Sequence, residues 1–389
     1  MAVELKPIRR LVTGDDGLGK SIVKWDGPAP SFVGAPGTNM AARTWNDLWV
    51  WESVPSPLGL DRDDGKLHYD FPGPLMGGHL RVVQSRGRTA DYDPKTDEKI
   101  VPTHEPKMRP AGRVWDRGGR NAFTSDMHKT QTIDYAFILE GERTLVLDDG
   151  EVKWSPGDIV IQVGAWHQWT SRTQNAIVAY DMFAAHFSDG PLDVAKGNDQ
   201  VMVVPVGTNN TGGAKPVRRI VTIDREPGKS ELLADGPCPD VRLDKARPGY
   251  TSSRMWVTDS TPAKIVFETL GLPHTIEPPV NGSVLRVETF PPDKSWQRNV
   301  GAGEVKAYFE TMGSPKASTY SSNAPHPYMQ KTGSLDFCCV LDGEIVLVLD
   351  MQEVVLKKGE FAIIRGSNHA WSNHTDKPAV VAIASHSAY

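Results

Sequence analysis

The sequence predicts an all-β protein made of two tandem jelly-roll barrels. Three observations carry this. The chain repeats itself: Pro7 to Pro30 (PIRRLVTGDDGLGKSIVKWDGPAP) aligns with Pro216 to Pro239 (PVRRIVTIDREPGKSELLADGPCP) at an offset of 209, with 13 of 24 positions identical. Met127 to Asp148 (MHKTQTIDYAFILEGERTLVLD) then matches Met329 to Asp350 (MQKTGSLDFCCVLDGEIVLVLD) at an offset of 202. A period near 200 residues means two domains and not a solenoid. Finally, the chain holds 36 Gly and 30 Pro and few helix-period stretches, so many short strands joined by turns are expected.

Each copy opens on an alternating element, RRLVT or RRIVT. A tryptophan-bearing strand follows, Leu48 to Pro55 and Met255 to Pro262, then His79 to Gln84 and Val284 to Thr289. An insertion comes next. In the first copy it is polar and charged, Ser85 to Arg120. In the second, Ala302 to Met312 reads as a short helix. Insertions of this length act as lids or oligomer contacts. The meander after it is dense. Strands are expected at Tyr135 to Leu139, Arg143 to Leu147, Glu151 to Trp154 and Ile159 to Val163, with a fifth opening at His167. Turns at Gly141-Glu142, Asp148 to Gly150, Gly157-Asp158 and Gly164 to Trp166 separate them, and the second copy repeats the pattern. Strands of four to six residues between glycine turns favour a closed antiparallel barrel or jelly roll. Val206 to Lys215 reads as the linker, which divides the chain into residues 1–205 and 206–389.

Composition excludes several classes. A net charge of −5 leaves no electrostatic footprint for nucleic acid or an anionic membrane. Apolar runs fall short of a membrane span, and the first residues lack the apolar core of a signal peptide. Three cysteines, two of them adjacent, make no disulfide framework and point to the cytoplasm. Gly14 to Lys20 lacks the spacing of a phosphate loop. The 11 tryptophans include Trp45, Trp49, Trp51, Trp115, Trp166 and Trp169 in the first copy, where they suit either core filling or a pocket for a planar ligand.

The meander resembles the cupins, whose motifs run G-x5-H-x-H-x3-4-E-x6-G and G-x5-P-x-G-x2-H-x3-N. In the first copy His128, Thr130, Asp134 and Gly141 fall on the His, His, Glu and Gly of the first motif. Gly157, Gly164 and His167 fall on the second, with Gln162 for Pro and Ser171 for Asn. In the second copy Gln330, Thr332, Asp336 and Gly343, then Gly359, Gly366 and His369, take these places. The resemblance covers about 60 residues of each copy. It is also close in length and layout to the bicupins that cleave gentisate and salicylate, which carry a fuller histidine set.

The resemblance implies that these positions converge inside a barrel on a divalent metal, Fe(II) in the first instance and one per chain. His128, Asp134 and His167 would be the ligands in residues 1–205. A site without metal is the alternative, because Asp134 recurs as Asp336 and His167 as His369 in a copy that has lost His128 to Gln330. Residues 206–389 are expected to be metal-free and structural, since a neutral amide is a poor ligand. His128, His167 and Arg81 are the expected catalytic residues. His79, Thr130, Trp166 and Trp169 are expected to bind substrate, and Arg81 to pair with its acidic oxygen. The substrate would be a small aromatic or enolisable molecule. Oxidative C–C cleavage, non-redox isomerisation, dehydration, cyclisation or decarboxylation, and binding without turnover all remain open. Each opening hairpin could add a strand to the other half, so the halves are expected not to be independently soluble, and the whole chain is expected to be a homodimer or larger homo-oligomer.

Overall fold

A computed structural model describes residues 6–31, 43–59, 61–85, 87, 102–120, 123–172, 175–197 and 213–389. Most of the expected linker (206–212) and part of the first-copy insertion lie outside these. The fold is all-β. Among the described residues a seven-stranded sheet runs Lys229–Pro237, Arg218–Glu226, Ile159–Val163, Thr132–Glu140, Ala176–Ala184, Gly78–Ser85 and Arg43–Trp51. An eight-stranded sheet runs Val241–Leu243, Thr251–Thr258, Ser283–Phe290, Ala379–Ser387, Ser334–Asp342, Phe361–Arg365, Arg9–Asp15 and Ser21–Pro28. Each faces a small sheet of three short strands, which closes a barrel. The expected helix is present at Ala302–Thr311. The tryptophan-bearing strand begins earlier than expected and stops at Trp51, before the cis Val54–Pro55 bond. Among the described residues no helix is long and apolar enough to cross a membrane.

The sequence of strand Thr132–Glu140 (TIDYAFILE) shows how the layers stack. All of it except Glu140 is buried. Ile133, Tyr135, Phe137 and Leu139 enter a core shared with Phe337, Cys339, Leu285 and Ala384 of the second copy. Ala136 and Ile138 point the other way, into the first barrel. A strand covered on both faces is apolar at nearly every position. The two large sheets thus pack against each other, and each barrel keeps its own interior on the far side. Tyr135 Oη and Ser283 Oγ bond across this shared core at 2.8 Å. His386 Nε2 stands 2.9 Å from Asp181 Oδ2 beside it, both buried.

The copies exchange their opening hairpins. Arg10 to Val12 run parallel to Phe361 to Ile363 of the second copy. Arg219 to Thr222 run parallel to Ile159 to Gln162 of the first. The segments that repeat most closely in sequence are the ones that meet across this exchange. Asp148 accepts from the Ser230 amide at 2.9 Å and its hydroxyl at 3.0 Å. Asp350 does the same for Ser21, at 3.0 and 3.1 Å. Lys129 pairs with Asp224 at 2.6 Å and Lys331 with Asp15 at 2.9 Å.

Candidate functional site

The first barrel brings His128 and His167 together. Gly164, at φ +55, turns the chain into the segment carrying His167. A Cβ there would meet the Phe187 ring at 2.6 Å, so both the backbone and the space call for glycine. The two histidines then face each other as a hydrogen-bonded strand pair, N to O at 3.0 and 2.9 Å, with ring centroids 4.2 Å apart. Each commits Nδ1–H to a carbonyl two residues back, His128 to Asp126 at 2.7 Å and His167 to Ala165 at 2.8 Å. Those bonds fix the tautomer that carries the lone pair on Nε2. Burial holds His167 down at about 4, so the ring is neutral at pH 7.

One carboxylate from the other copy's hairpin holds both segments. Asp224 Oδ2 accepts from Lys129 Nζ at 2.6 Å, and its Oδ1 accepts from the Trp166 amide at 3.0 Å. Lys129 follows His128 and Trp166 precedes His167, so the exchanged hairpin sets the spacing of the pair. Burial draws Lys129 down and Asp224 up, both toward neutrality.

A row of inward side chains crosses the large sheet beside them. The registers place Gln162, Asp134, Met182 and His79 abreast. Burial raises the Asp134 carboxyl to about 7 and leaves Oδ1 without a partner. His79 is fully buried, neither ring nitrogen has a partner, and burial pushes it down to about 3. Phe71 stands between the two groups of histidines, 6.3 Å from His79 and 6.5 Å from His128. An orphaned buried imidazole carries a desolvation penalty that a bound ligand would relieve.

Other expected site residues sort differently. Trp169 packs on His167 at 5.4 Å and belongs to the barrel interior. Trp166 does not share that face. It lies in a separate cluster with Trp115 and Met127, under the Arg117 guanidinium, because neighbours in an extended segment point apart. Thr130 bonds Thr132 at 2.7 Å, as Thr332 bonds Ser334 at 2.8 Å in the second copy, which marks a structural role. Arg81 is spent on Asp47, in two bonds of 2.6 and 2.9 Å. Burial alone would raise the Asp47 carboxyl, but the bonds and charge of Arg81 outweigh it and the carboxyl stays below its ordinary range. Arg286, its counterpart, pairs with Glu288 at 2.9 Å. The sequence reading missed Arg143, which is 3% exposed and donates to Tyr180 Oη at 2.9 Å. Its signal was a charged residue at an inward position of a strand, paired in the second copy with Ile345.

The second barrel is filled by its own side chains. Tyr308 and Phe309 of the helix pack with Tyr250, Trp296 and Tyr328. Arg247 sits among Tyr250, Tyr308 and Tyr328, 3.6 to 4.4 Å from the ring centres, and is paired with Asp244 at 2.6 Å. At the place of the histidine pair, Gln330 donates its amide to His369 Nε2 at 3.2 Å.

The expected three-ligand metal set does not assemble. The two imidazoles suit a metal, because each has its Nδ1–H held by a carbonyl. Asp134 stands in the large sheet and does not join them. Among the described residues no group of three or more His, Cys, Asp or Glu side chains could hold one ion.

A model of the cupin domain matches residues 321–385, in the second copy. A relative described as oryzines biosynthesis cluster protein J, from Aspergillus oryzae, is 30% identical over 138 residues, covering 33% of this chain and 70% of that protein. The chain belongs to the cupin superfamily. Two further matches are partial. Phomopsin biosynthesis cluster protein D of Diaporthe leptostromiformis is 52% identical over 115 residues, 27% of this chain and 61% of that protein. The chain thus spans less than two thirds of that relative's length. A protein described as cupin-domain-containing oxidoreductase srdD, from Neurospora crassa, is 40% identical over 82 residues, 21% of this chain and 40% of that protein.

Proposed function

We propose that the first barrel is an enzyme site for a small aromatic or enolisable molecule, with His128 and His167 as its proton-transfer pair. The observation that carries this reading is the facing of two imidazoles whose Nδ1–H groups are both committed to carbonyls. A proton taken from the substrate by one ring is shared with the other, which lowers the barrier to its removal. His167, neutral at pH 7, serves as the base. Trp169, Met182 and Phe71 keep the surroundings apolar and hold a planar substrate against the pair. Isomerisation, dehydration and decarboxylation are the reaction classes this set serves.

A second reading is favoured by the relative described as an oxidoreductase. There His128 and His167 hold a divalent metal, Fe(II) in the first instance, which supplies Lewis acidity or a site for dioxygen. The two readings part on one experiment. Elemental analysis of the purified chain is set beside turnover of enolisable and aromatic substrates, with and without a chelator. Turnover that survives the chelator supports the proton-transfer pair. One equivalent of iron, with turnover lost on its removal, supports the oxidative reading. Unchanged turnover in His128→Gln would sink both.

A further inference from the structure

We propose that Arg143 is the anion-recognition group of the first barrel, so that its ligand is a planar molecule bearing a carboxylate, phenolate or enolate oxygen. This rests on the reading of the first barrel as the substrate site and names the substrate class. Arg143 is 3% exposed, and its Nε is buried without an acceptor. Nη1 donates to Tyr180 Oη at 2.9 Å, and the guanidinium lies 5.7 Å from the centre of the Trp169 ring. Among the described residues no carboxylate pairs with it. Four other buried arginines have one: Arg81 has Asp47, Arg219 has Glu268, Arg247 has Asp244 and Arg286 has Glu288.

A buried cation beside a phenol and an aromatic ring, with no carboxylate among the described residues, is costly to keep, and an anion brought to it removes the cost. The second copy shows what the fold requires there when no anion is to be held. The registers align Arg143 with Ile345, opposite Leu356 where the first copy has Trp154, and Tyr180 with Ile383, beside Arg286 where the first copy has Arg81. The polar pair has become an apolar one and the barrel still closes. Trp169 is in contact with both Arg143, at 5.7 Å, and the His167 ring, at 5.4 Å. A planar ligand anchored at Arg143 therefore lies along the indole toward the histidine pair.

The test uses the full chain and three probes, benzoate, salicylate and the neutral benzamide, followed by tryptophan fluorescence and calorimetry. The wild type should bind benzoate or salicylate at least tenfold more tightly than benzamide. Arg143→Gln should erase that preference. The double change Arg143→Ile with Tyr180→Ile, which installs the second copy's residues, should fold with an undiminished melting temperature and lose the acids. Benzamide bound as tightly as benzoate, no binding of any probe by folded wild type, or a preference kept in Arg143→Gln overturns the proposal. If the double variant does not fold, the wild-type preference and Arg143→Gln decide. None of these results bears on the histidine pair, whose own test is loss of turnover in His128→Gln.

Discussion

The two barrels share a chain trace, an exchanged hairpin and a lysine–aspartate pair, yet they differ in how they pair their buried charges. The second pairs its buried charges. Arg247 has Asp244 and three tyrosines, Arg286 has Glu288, and His369 has the Gln330 amide. Each barrel leaves a carboxylate oxygen and an arginine Nε open, at Asp134 and Arg143 in the first and at Asp336 and Arg286 in the second, but the first also leaves both nitrogens of His79 open and gives Arg143 no carboxylate among the described residues. The Lys–Asp pair differs in the same sense. Lys129 and Asp224 are 0% and 1% exposed, whereas Lys331 and Asp15 are 47% and 33% exposed. The copies thus share the polar groups that close a barrel and differ in the imidazole pair, in His79 and in Arg143.

The largest effect should come from undoing what the barrels share. Residues 1–205 and 206–389 expressed apart should each fail to fold, because each large sheet lacks a hairpin, and should be rescued when produced together. Soluble yield and thermal melting read this out, and a stable, monomeric 1–205 fragment would refute it. Sedimentation of the intact chain tests the separate expectation that it forms a homodimer or larger assembly.

The lysine–aspartate pairs sharpen the comparison next. Asp224→Asn leaves Lys129 buried without a counter-charge and should cost about 3–5 kcal/mol. Asp15→Asn, at the exposed pair, should cost about 1 kcal/mol or less. Denaturant unfolding of both variants measures the difference, and equal losses would show that burial of the pair does not matter.

Acidity separates the open groups of the first barrel. His79 is held at about 3 and His167 at about 4, so the unfolded chain takes up protons that the fold refuses as pH drops below about 6.5. The stability these two contribute is present above that pH and is lost as pH falls toward 4. Asp134 acts the other way. Its carboxyl keeps a proton up to about 7 in the fold but loses it near 4 when unfolded. Its contribution is full below about 4 and is lost by about 7. Asp134→Asn should thus steepen the rise of stability with pH between about 4 and 7 by one proton, about 1.4 kcal/mol per pH unit. Chemical unfolding across that range measures it, and an unchanged slope would show that Asp134 is ionised in the fold.

A small change in stability, of opposite sign, should attend the most informative substitution. His128→Gln installs the second copy's residue, and its amide should bond His167 Nε2 as Gln330 bonds His369. A gain of about 1 kcal/mol is expected, with turnover lost. A variant less stable than the wild type would mean that the histidine pair is itself a structural contact.

The fold was legible because repetition supplied an internal alignment. Gly164 and Gly366, both at positive φ, and the strands Glu151–Trp154 and Ile159–Val163 lie where the turn residues put them. His128 and His167 were legible from spacing, since a glycine turn fixes where a strand begins. Pairing across the sheet was not. Nothing near Arg81 in sequence reveals that Asp47, on the neighbouring strand, takes up its charge. Trp166 was misplaced because adjacency in sequence means opposite faces in an extended segment. Arg143 was overlooked because its isolation shows only once every neighbour is in place.

The hairpin exchange also governs how such a chain can change over generations. Residues 216–239 come from the second repeat in the gene but work in the first repeat's barrel, where Asp224 and Ser230 make their contacts. A substitution there is judged by the other repeat's chemistry. Recombination that cuts between the repeats transplants neither barrel intact, since each would leave its hairpin behind. The two repeats are therefore tied together by their hairpins, which are among the segments most alike between them.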